Sequence, residues 1–295
     1  MADLIGNINS KIYYEEVPQA RSQFSLKGLD NIDWGMKDRL SKIFNPADNR
    51  SLMLAFDHGY FMGSTRGLER IDISIQEIAQ YVDALMGTRG AFRTSISPTN
   101  NKAVALRVSA GSTMASEDVI KEFVAVNIED AIRMNASVMA VQTFIGTEEE
   151  RTSLSSLNQV INAGNRYGIP TMGVVAVGKT MERNSRFFLL ATRVIAELGA
   201  HIVKTYYCDD FEKVVAACPV PIVVAGGKKL PEMEALELAY MAINSGASGV
   251  DMGRNIFQSE SPMAMVQAVA KVVHENYKPK DAFEFYNHLK NELSK

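Results

Sequence analysis

The sequence predicts one α/β domain in which eight parallel strands close into a (β/α)8 TIM barrel. Three observations support this: eight short apolar runs recur along the chain, most are continuously apolar, and the intervening segments show helical periodicity. Continuous apolarity is typical of parallel strands that are covered on both faces. Alternating strands and helices give a parallel sheet with right-handed crossovers, and eight such units suit closure into a barrel.

The eight apolar runs span residues 51 to 253. They are SLMLAF (51–56), DALMG (83–87), AVALRV (103–108), SVMAVQTF (137–144), PTMGVVAV (170–177), HIVKTY (201–206), PIVVAGG (221–227) and SGVDMG (248–253). Between them, apolar residues recur at steps of three and four, for example from Phe187 to Leu198. The alternative fold is a doubly wound open sheet, but the first run leads into DHGYFMG and not into the GxGxxG turn common in such sheets.

Two units depart from the regular pattern. No long amphipathic helix follows Met86, and a polar stretch extends from Gly111 to Glu122. Roughly the first 25 residues lack periodicity and are expected to form a loose arm. The predicted regions are an N-terminal arm with a leading helix, the catalytic barrel and a C-terminal helical extension, over residues 1–48, 49–277 and 278–295.

Composition argues against several classes of protein. With 46% hydrophobic residues and a formal net charge of −3, the chain can bury a large core and shows no basic stripe for nucleic acid. Cys208 and Cys218 form no CxxC pair and have no histidine at metal-ligand spacing, so we expect neither a disulfide scaffold nor a bound metal. No apolar segment reaches the roughly 20 residues of a membrane span, and no signal peptide is visible. We therefore expect a cytoplasmic protein without a membrane partner.

Lys204 is the residue that most directly suggests chemistry. It lies inside the run HIVKTY, where strand alternation places it on the same side as Ile202 and Tyr206. Burial lowers the pKa of an amine because the charged form loses its hydration, and positive neighbours such as Lys179 and Lys228 would lower it further. A neutral amine attacks carbonyl groups, so a Schiff base with a keto substrate is predicted. The alternative is a lysine whose stem packs while its ammonium group pairs or reaches solvent.

Polar residues also occur near the ends of other strands, where barrel active sites form. Asp57 and His58 follow the first strand and are candidates for proton transfer or for orienting a substrate hydroxyl. Taken alone, they fit better with an aspartate that opens a turn and a histidine that packs. Gln142, late in the fourth strand, is either a substrate hydrogen-bonding group or a satisfied core amide.

Glycine-containing segments at the ends of the seventh and eighth strands predict a phosphate site. They are AGGKK (225–229), which holds Gly226, Gly227 and Lys228, and MGRN (252–255), which holds Gly253 and Arg254. Glycine lets backbone N–H groups approach an anion closely, and arginine binds phosphate oxygens in pairs. Barrels commonly bind phosphate after strands seven and eight. The alternative is a set of turn-forming glycines beside a surface arginine.

These segments together resemble the DeoC/FbaB-like class I aldolases, which include the archaeal-type fructose-bisphosphate aldolases. The similarity rests on LAFDHG (54–59), AHIVKTYY (200–207), AGGKK (225–229) and VDMGRNIFQ (250–258), and it covers nearly the whole barrel. The resemblance implies the lysine role for Lys204, phosphate binding by the Gly226–Gly227 and Gly253–Arg254 loops, and a polar role for Asp57 and His58.

Within this family the chain looks most similar to a thiolase branch. The segments responsible are LDNIDWGMKDRLSKIFNP, MLAFDHGYFMGSTRGLERID, VGKTM and CPVPIVVAGGKKLPE. Ala176 stands where the related aldolases carry a tyrosine proton donor, which argues against ordinary aldol cleavage. The resemblance implies acetyl transfer from 3-hydroxy-5-phosphonooxypentane-2,4-dione to coenzyme A in autoinducer-2 degradation, giving acetyl-CoA and dihydroxyacetone phosphate.

The resemblance also implies a co-substrate and an oligomeric state. Coenzyme A would be a co-substrate, with no permanently bound cofactor, and the chain would form a homo-oligomer such as a decamer. Two other functions remain open at this point. One is a class I aldolase for another sugar phosphate, such as fructose 1,6-bisphosphate, and the other is a non-catalytic sugar-phosphate sensor.

Overall fold

The computed structural model describes residues 16–18, 24–63, 65–111, 113–115, 121–177 and 182–294. The strands in these ranges are β1 (Ser51–Ala55), β2 (Ala84–Thr88), β3 (Ala103–Arg107), β4 (Ser109–Gly111), β5 (Glu122–Val124), β6 (Val138–Thr143), β7 (Thr171–Val175), β8 (Ile202–Thr205), β9 (Ile222–Ala225) and β10 (Gly249–Met252). The helices are α1 (Trp34–Ile43), α2 (Gly59–Met62), α3 (Ile71–Ile78), α4 (Arg89–Ser95), α5 (Ile128–Arg133), α6 (Glu150–Tyr167), α7 (Ser185–Glu197), α8 (Phe211–Ala217), α9 (Glu232–Asn244), α10 (Arg254–Phe257), α11 (Pro262–Glu275) and α12 (Pro279–Leu293).

Within these ranges, eight parallel strands close into a barrel in the order β1-β10-β9-β8-β7-β6-β3-β2. Each of the eight predicted apolar runs coincides with one barrel strand, with β2 extending one residue further to Thr88, which confirms the predicted (β/α)8 fold. β8 lies between β7 and β9, with Lys204 opposite Val174 on one side and Val223 on the other. Closure gathers the carboxyl ends of the strands at one end of the barrel, where barrel active sites form.

Helices cover the outside of the barrel with apolar faces. In α7, Phe188, Ala191 and Ile195 recur at steps of three and four and are fully buried. Gly173 in β7 permits a close approach, because a Cβ atom at this position would lie 2.3 Å from Ile195 Cγ2. This packing holds α7 against β7 and β8 and so fixes the strand that carries Lys204.

The two irregular units differ from the others as the sequence indicated. A short helix, α4, follows β2 where no long helix was expected. The polar stretch after β3 contains β4 and β5, which pair antiparallel with Ser109 opposite Val124 and Gly111 opposite Glu122. The pairing of β4 with β5 returns the chain to the barrel and leaves Glu122 buried.

The segments before and after the barrel carry helices α1 and α12. Helix α1 lies in the predicted leading segment, while residues 1–15 and 19–23 of the predicted arm fall outside the described residues. Helix α12 occupies the predicted C-terminal extension and buries Ala282 and Tyr286 as it packs on α9 and α11. None of the helices in the described part of the chain has both the length and the apolar character that a bilayer span requires.

Candidate active site

The side chain of Lys204 points into the barrel. Its Nζ donates to Asp251 Oδ2 at 2.7 Å and lies 3.3 Å from Met86 Sδ. Met86 is in β2, which is not adjacent to β8 in the barrel, so this contact crosses the interior. Lys204 is 8% exposed and Asp251 is 2% exposed. The chain therefore places an amine and a carboxylate together where little of either side chain is accessible to solvent.

The prediction that Lys204 has a lowered pKa was wrong. Burial does oppose the ammonium charge, but the attraction of Asp251 and Asp57 and the hydrogen bond to Asp251 outweigh it and raise the pKa of Lys204. Lys228 is exposed, and Lys179 lies outside the described residues. The sequence revealed the burial of the lysine but not its counter-ion.

Asp251 is buried more completely than the lysine it binds. Burial raises the pKa of its carboxyl group, although Lys204 opposes this shift. Its second oxygen, Oδ1, is buried without a hydrogen-bond partner among the described residues. A buried carboxylate oxygen without a partner is costly, so this atom is suited to accept a hydrogen bond from a substrate group or to take up a proton.

Asp57 and Arg107, which lies at the end of β3, form a second buried cluster of charged residues. Arg107 Nη1 donates to Asp57 Oδ2 at 2.7 Å, and its Nη2 donates to Glu122 Oε1 at 2.5 Å and to Gln142 Oε1 at 2.7 Å. Burial alone would raise the pKa of Asp57, but the charges of Arg107 and Lys204 hold it below its usual value. Asp57 is therefore a carboxylate at neutral pH.

His58 lies beside this cluster without a direct bond to it in the described contacts. Its Nε2 lies 3.0 Å from Thr65 Oγ1, and its ring stacks on Phe257 with centroids 5.7 Å apart. Burial lowers the pKa of His58 despite the opposing charge of Asp57, so the imidazole is neutral at neutral pH. Its role in proton transfer stays a prediction and requires a substrate or water molecule as intermediary.

The two predicted phosphate loops are tied to each other. Arg254 Nη2 donates to Gly227 O at 2.7 Å, and Asn255 Nδ2 donates to Gly226 O at 2.8 Å. The bond to Gly227 O is the single hydrogen bond of the Arg254 side chain within the described part of the chain. A guanidinium group has five N–H donors. Arg254 can therefore hold the loop and still donate to an anion.

Glycine is required at two positions in these loops. A Cβ atom on Gly253 would lie 2.2 Å from Ala55 O, and Gly227 has a φ of +69°. Lys228 is exposed and has no hydrogen bond or ion pair with the residues that the structure describes. The loops after β9 and β10 therefore bring together glycine backbone, which carries no side chain, and the guanidinium group of Arg254. Lys228 lies on the solvent-exposed side of these loops.

Three charged residues of the site were not predicted from the sequence. Arg107 and Asp251 carry the signal that identified Lys204, namely a charged residue inside an apolar run, and the same rule would have found them. Glu122 gave no such signal, because it lies in a polar stretch and reaches the barrel only through the pairing of β4 with β5.

Fold and site together define a class of protein: a (β/α)8 barrel with an inward-facing lysine, paired with a buried carboxylate and placed near two linked glycine loops. The family model described as "DeoC/LacD family aldolase" matches residues 51–259, and the chain belongs to this family.

Curated relatives resemble the chain over nearly its full length. Proteins named 3-hydroxy-5-phosphonooxypentane-2,4-dione thiolase from Enterobacter sp. (strain 638) and from Yersinia enterocolitica are each 53% identical over 291 residues, which is 98% of this chain. The alignments cover 98% and 100% of these relatives, respectively.

Solved structures share the fold at much lower identity. A Schiff base forming fructose-1,6-bisphosphate aldolase superposes with a TM-score of 0.73 at 21% identity, covering 81% of this chain and 100% of that one. Fructose-bisphosphate aldolase from Slackia heliotrinireducens gives a TM-score of 0.76 at 19% identity, covering 95% of this chain and 96% of its own. These similarities support the barrel fold.

Proposed function

We propose that the chain is an enzyme that transfers the acetyl group of 3-hydroxy-5-phosphonooxypentane-2,4-dione to coenzyme A through a Schiff base on Lys204. The observation that supports this most directly is the position of Lys204 Nζ, which points into the barrel 2.7 Å from Asp251 Oδ2. The names of the relatives at 53% identity support the choice of substrate. The products are acetyl-CoA and dihydroxyacetone phosphate, and the pathway is autoinducer-2 degradation.

The substrate carries two carbonyl groups on either side of a hydroxyl-bearing carbon. Lys204 would attack the carbonyl next to the phosphorylated end and release water to give an iminium group. The thiol of coenzyme A would add to the other carbonyl, and the bond between the acetyl group and the hydroxyl-bearing carbon would break. The iminium accepts that electron pair as an enamine, which takes up a proton at carbon and is hydrolysed to dihydroxyacetone phosphate and free Lys204.

The charged neighbours of Lys204 have the properties that these steps need. The amine must lose its proton before it attacks, and Asp251 Oδ2 is within direct transfer distance of Nζ. Burial raises the pKa of Asp251, which favours its protonated form. Asp57, held as a carboxylate by Arg107, would accept a hydrogen bond from the substrate hydroxyl. We propose that His58 relays protons near this group in its neutral form.

The phosphate would bind to the loops after β9 and β10. Gly226, Gly227 and Gly253 expose backbone at the carboxyl ends of these strands, and Arg254 and Lys228 supply positive charge. Gln142 would donate its amide N–H groups to the substrate, since its Oε1 is bound to Arg107. Bound in this way, the substrate would hold its reacting carbonyl between the phosphate loops and Lys204.

Three further expectations accompany this function. Coenzyme A acts as a co-substrate that leaves with the acetyl group, and no permanently bound cofactor is needed. The protein forms a homo-oligomer, with a decamer as the expected assembly, which light scattering coupled to size-exclusion chromatography measures. The enzyme works in the cytoplasm, where coenzyme A is available, and cell fractionation tests this location.

Borohydride trapping tests the covalent step. The protein is incubated with dihydroxyacetone phosphate and sodium borohydride, digested, and analysed by mass spectrometry. The reduced adduct should appear on the peptide that contains Lys204 and should be absent from Lys204→Met. Lys213→Met is the matched control, because Lys213 is an exposed lysine paired with Asp210 and should leave trapping intact. An adduct that persists in Lys204→Met would overturn the Schiff-base step.

A product assay tests the reaction itself. Acetyl-CoA should form from the phosphorylated dione in the presence of coenzyme A, and fructose 1,6-bisphosphate should not be cleaved. Trapping without acetyl transfer, together with cleavage of fructose 1,6-bisphosphate, would assign the chain to the aldolases. Binding of sugar phosphates without any turnover would assign it to the sensors.

A further inference from the structure

Arg107 is bound on all sides by protein oxygens. Besides the bonds of Nη1 to Asp57 and of Nη2 to Glu122 and Gln142, its Nε donates to Ser109 O at 3.1 Å. Its side chain is 5% exposed. Each of its three nitrogens therefore already has a partner within the chain, and these bonds fix the position of the guanidinium group.

Both carboxylate oxygens of Glu122 accept hydrogen bonds from the protein. Its Oε1 accepts from Arg107 and from Tyr60 OH at 3.1 Å, and its Oε2 accepts from Ser109 Oγ at 2.7 Å. Ser109 Oγ in turn accepts from the backbone N–H of Gln142 at 3.0 Å. Glu122 thus links β5 to β4, β6 and α2, and it fixes the guanidinium plane of Arg107.

We propose that Arg107 and Glu122 are positioning residues that keep the Asp57 carboxylate ionised and oriented and that set which end of the Gln142 amide faces the substrate. Because Arg107 takes Gln142 Oε1, the amide nitrogen is directed away from it and has no partner among the described residues. The inference rests on the proposed function, since it assigns Asp57 and Gln142 to the same substrate.

Charge sets the sign of the expected effects. The groups that act on Asp57 are Arg107 from β3, Lys204 from β8 and the adjacent His58. Asp57 in turn acts on Asp251 of β10, while Glu122 of β5 and Tyr60 of α2 act on Arg107. Removing the positive charge at Arg107 should therefore make Asp57 easier to protonate, and removing the negative charge at Glu122 should not.

The pH dependence of kcat/KM for acetyl transfer separates positioning from a purely structural role. In Arg107→Gln the acid limb should move up by about 1–3 pH units, the range by which an adjacent arginine shifts an aspartate pKa. Arg107→Lys should keep the acid limb of the wild type but lower kcat, because lysine retains the charge without the planar fork. KM for the phosphorylated substrate should change little, because the phosphate loops belong to β9 and β10.

Two further variants complete the comparison. Glu122→Gln should lower kcat without moving the acid limb upward. Arg89→Gln is the matched control, since Arg89 forms an exposed ion pair with Asp130 and should leave both kcat and the acid limb unchanged. If Arg107→Gln does not fold, Arg107→Lys and Glu122→Gln still test the inference, and it is overturned when both keep the kcat of the wild type.

A measurement independent of turnover distinguishes this inference from the proposed function. Urea unfolding of Arg107→Gln, Asp57→Asn and the double variant should show that the double variant loses less stability than the two single losses combined. Additive losses, or an unchanged acid limb in Arg107→Gln, would overturn the inference. If the wild type makes no acetyl-CoA but the two residues remain coupled, the proposed function fails and the ion-pair arrangement stands.

Discussion

Asp251→Asn should destabilise the fold by leaving the charge of Lys204 without its counter-ion. The side chain of Asp251 is 0% exposed and that of Lys204 is 10% exposed, with 2.7 Å between Oδ2 and Nζ. Asparagine has nearly the same volume and still offers an oxygen as acceptor. The substitution therefore tests the buried charge and leaves the packing of β10 in place.

The expected loss can be bounded from the chemistry of the remaining amine. A buried ammonium group that has lost its counter-ion can release its proton, and holding lysine neutral at pH 7 against an ordinary pKa of about 10.4 costs about 4.6 kcal/mol at 1.36 kcal/mol per unit. Losses of about 3–5 kcal/mol are usual when one partner of a buried ion pair is removed. At pH 9 the free-energy cost of holding the lysine neutral falls to about 1.9 kcal/mol, and this value is then the upper bound on the loss of stability.

The direction of this pH dependence follows from proton counting. In the variant, the unfolded chain binds a proton at Lys204 that the folded chain does not, so stability rises with pH. In the wild type the pKa of Lys204 is raised, so this lysine is charged in both states between pH 7 and pH 9 and adds no slope. The difference in stability between wild type and variant should therefore shrink as the pH increases.

Urea unfolding followed by circular dichroism at pH 7, 8 and 9 measures this difference. Asp72→Asn is the control, because Asp72 forms an exposed ion pair with Arg70 and its loss should have no such pH dependence. A loss at pH 7 within the ~1 kcal/mol typical of surface pairs would refute the reasoning. So would a larger loss that stays constant up to pH 9.

Two more predictions concern other parts of the barrel. Burial opposes the charge of His274, but hydrogen bonds to Asp83 and Asp48 raise its pKa, so its stabilising effect is complete below about pH 6.5 and is lost as pH rises through the raised value. The melting temperature of the wild type should therefore fall toward that of His274→Gln as the pH rises above about 6.5. Gly253→Ala should raise KM for the phosphorylated substrate and destabilise by about 1–3 kcal/mol, because its Cβ would lie 2.2 Å from Ala55 O; an unchanged KM would contradict this.

The fold could be predicted because strand burial in a barrel leaves a strong pattern. All eight apolar runs coincide with a barrel strand, including those of the irregular second and third units. Lys204 could be selected for the same reason, since an ionisable residue in an apolar run is unusual enough to mark a site. Its inward direction follows from the alternation of side chains along β8.

The pairing of charges could not be predicted in this way. Lys204 and Asp251 are 47 residues apart in sequence and meet only because closure of the barrel brings β8 and β10 to a common interior. Sequence reasoning detected the burial of Lys204, which lowers a lysine pKa, but not the carboxylates that reverse the shift. Glu122 could not be predicted for a different reason, because a polar loop sequence does not reveal which of its residues returns to the core.

A raised pKa at Lys204 is compatible with the proposed chemistry when the charge of each state is followed. The free enzyme holds an ammonium group opposite Asp251, and the iminium places the same positive charge on the same nitrogen. The carboxylate, which is 0% exposed in its side chain, therefore keeps a counter-ion in both states. The neutral amine is needed only during attack on the carbonyl, and at 2.7 Å Asp251 can take up the proton for that step. The same ion pair that makes the resting lysine a weak nucleophile thus stabilises the cation that breaks the carbon–carbon bond.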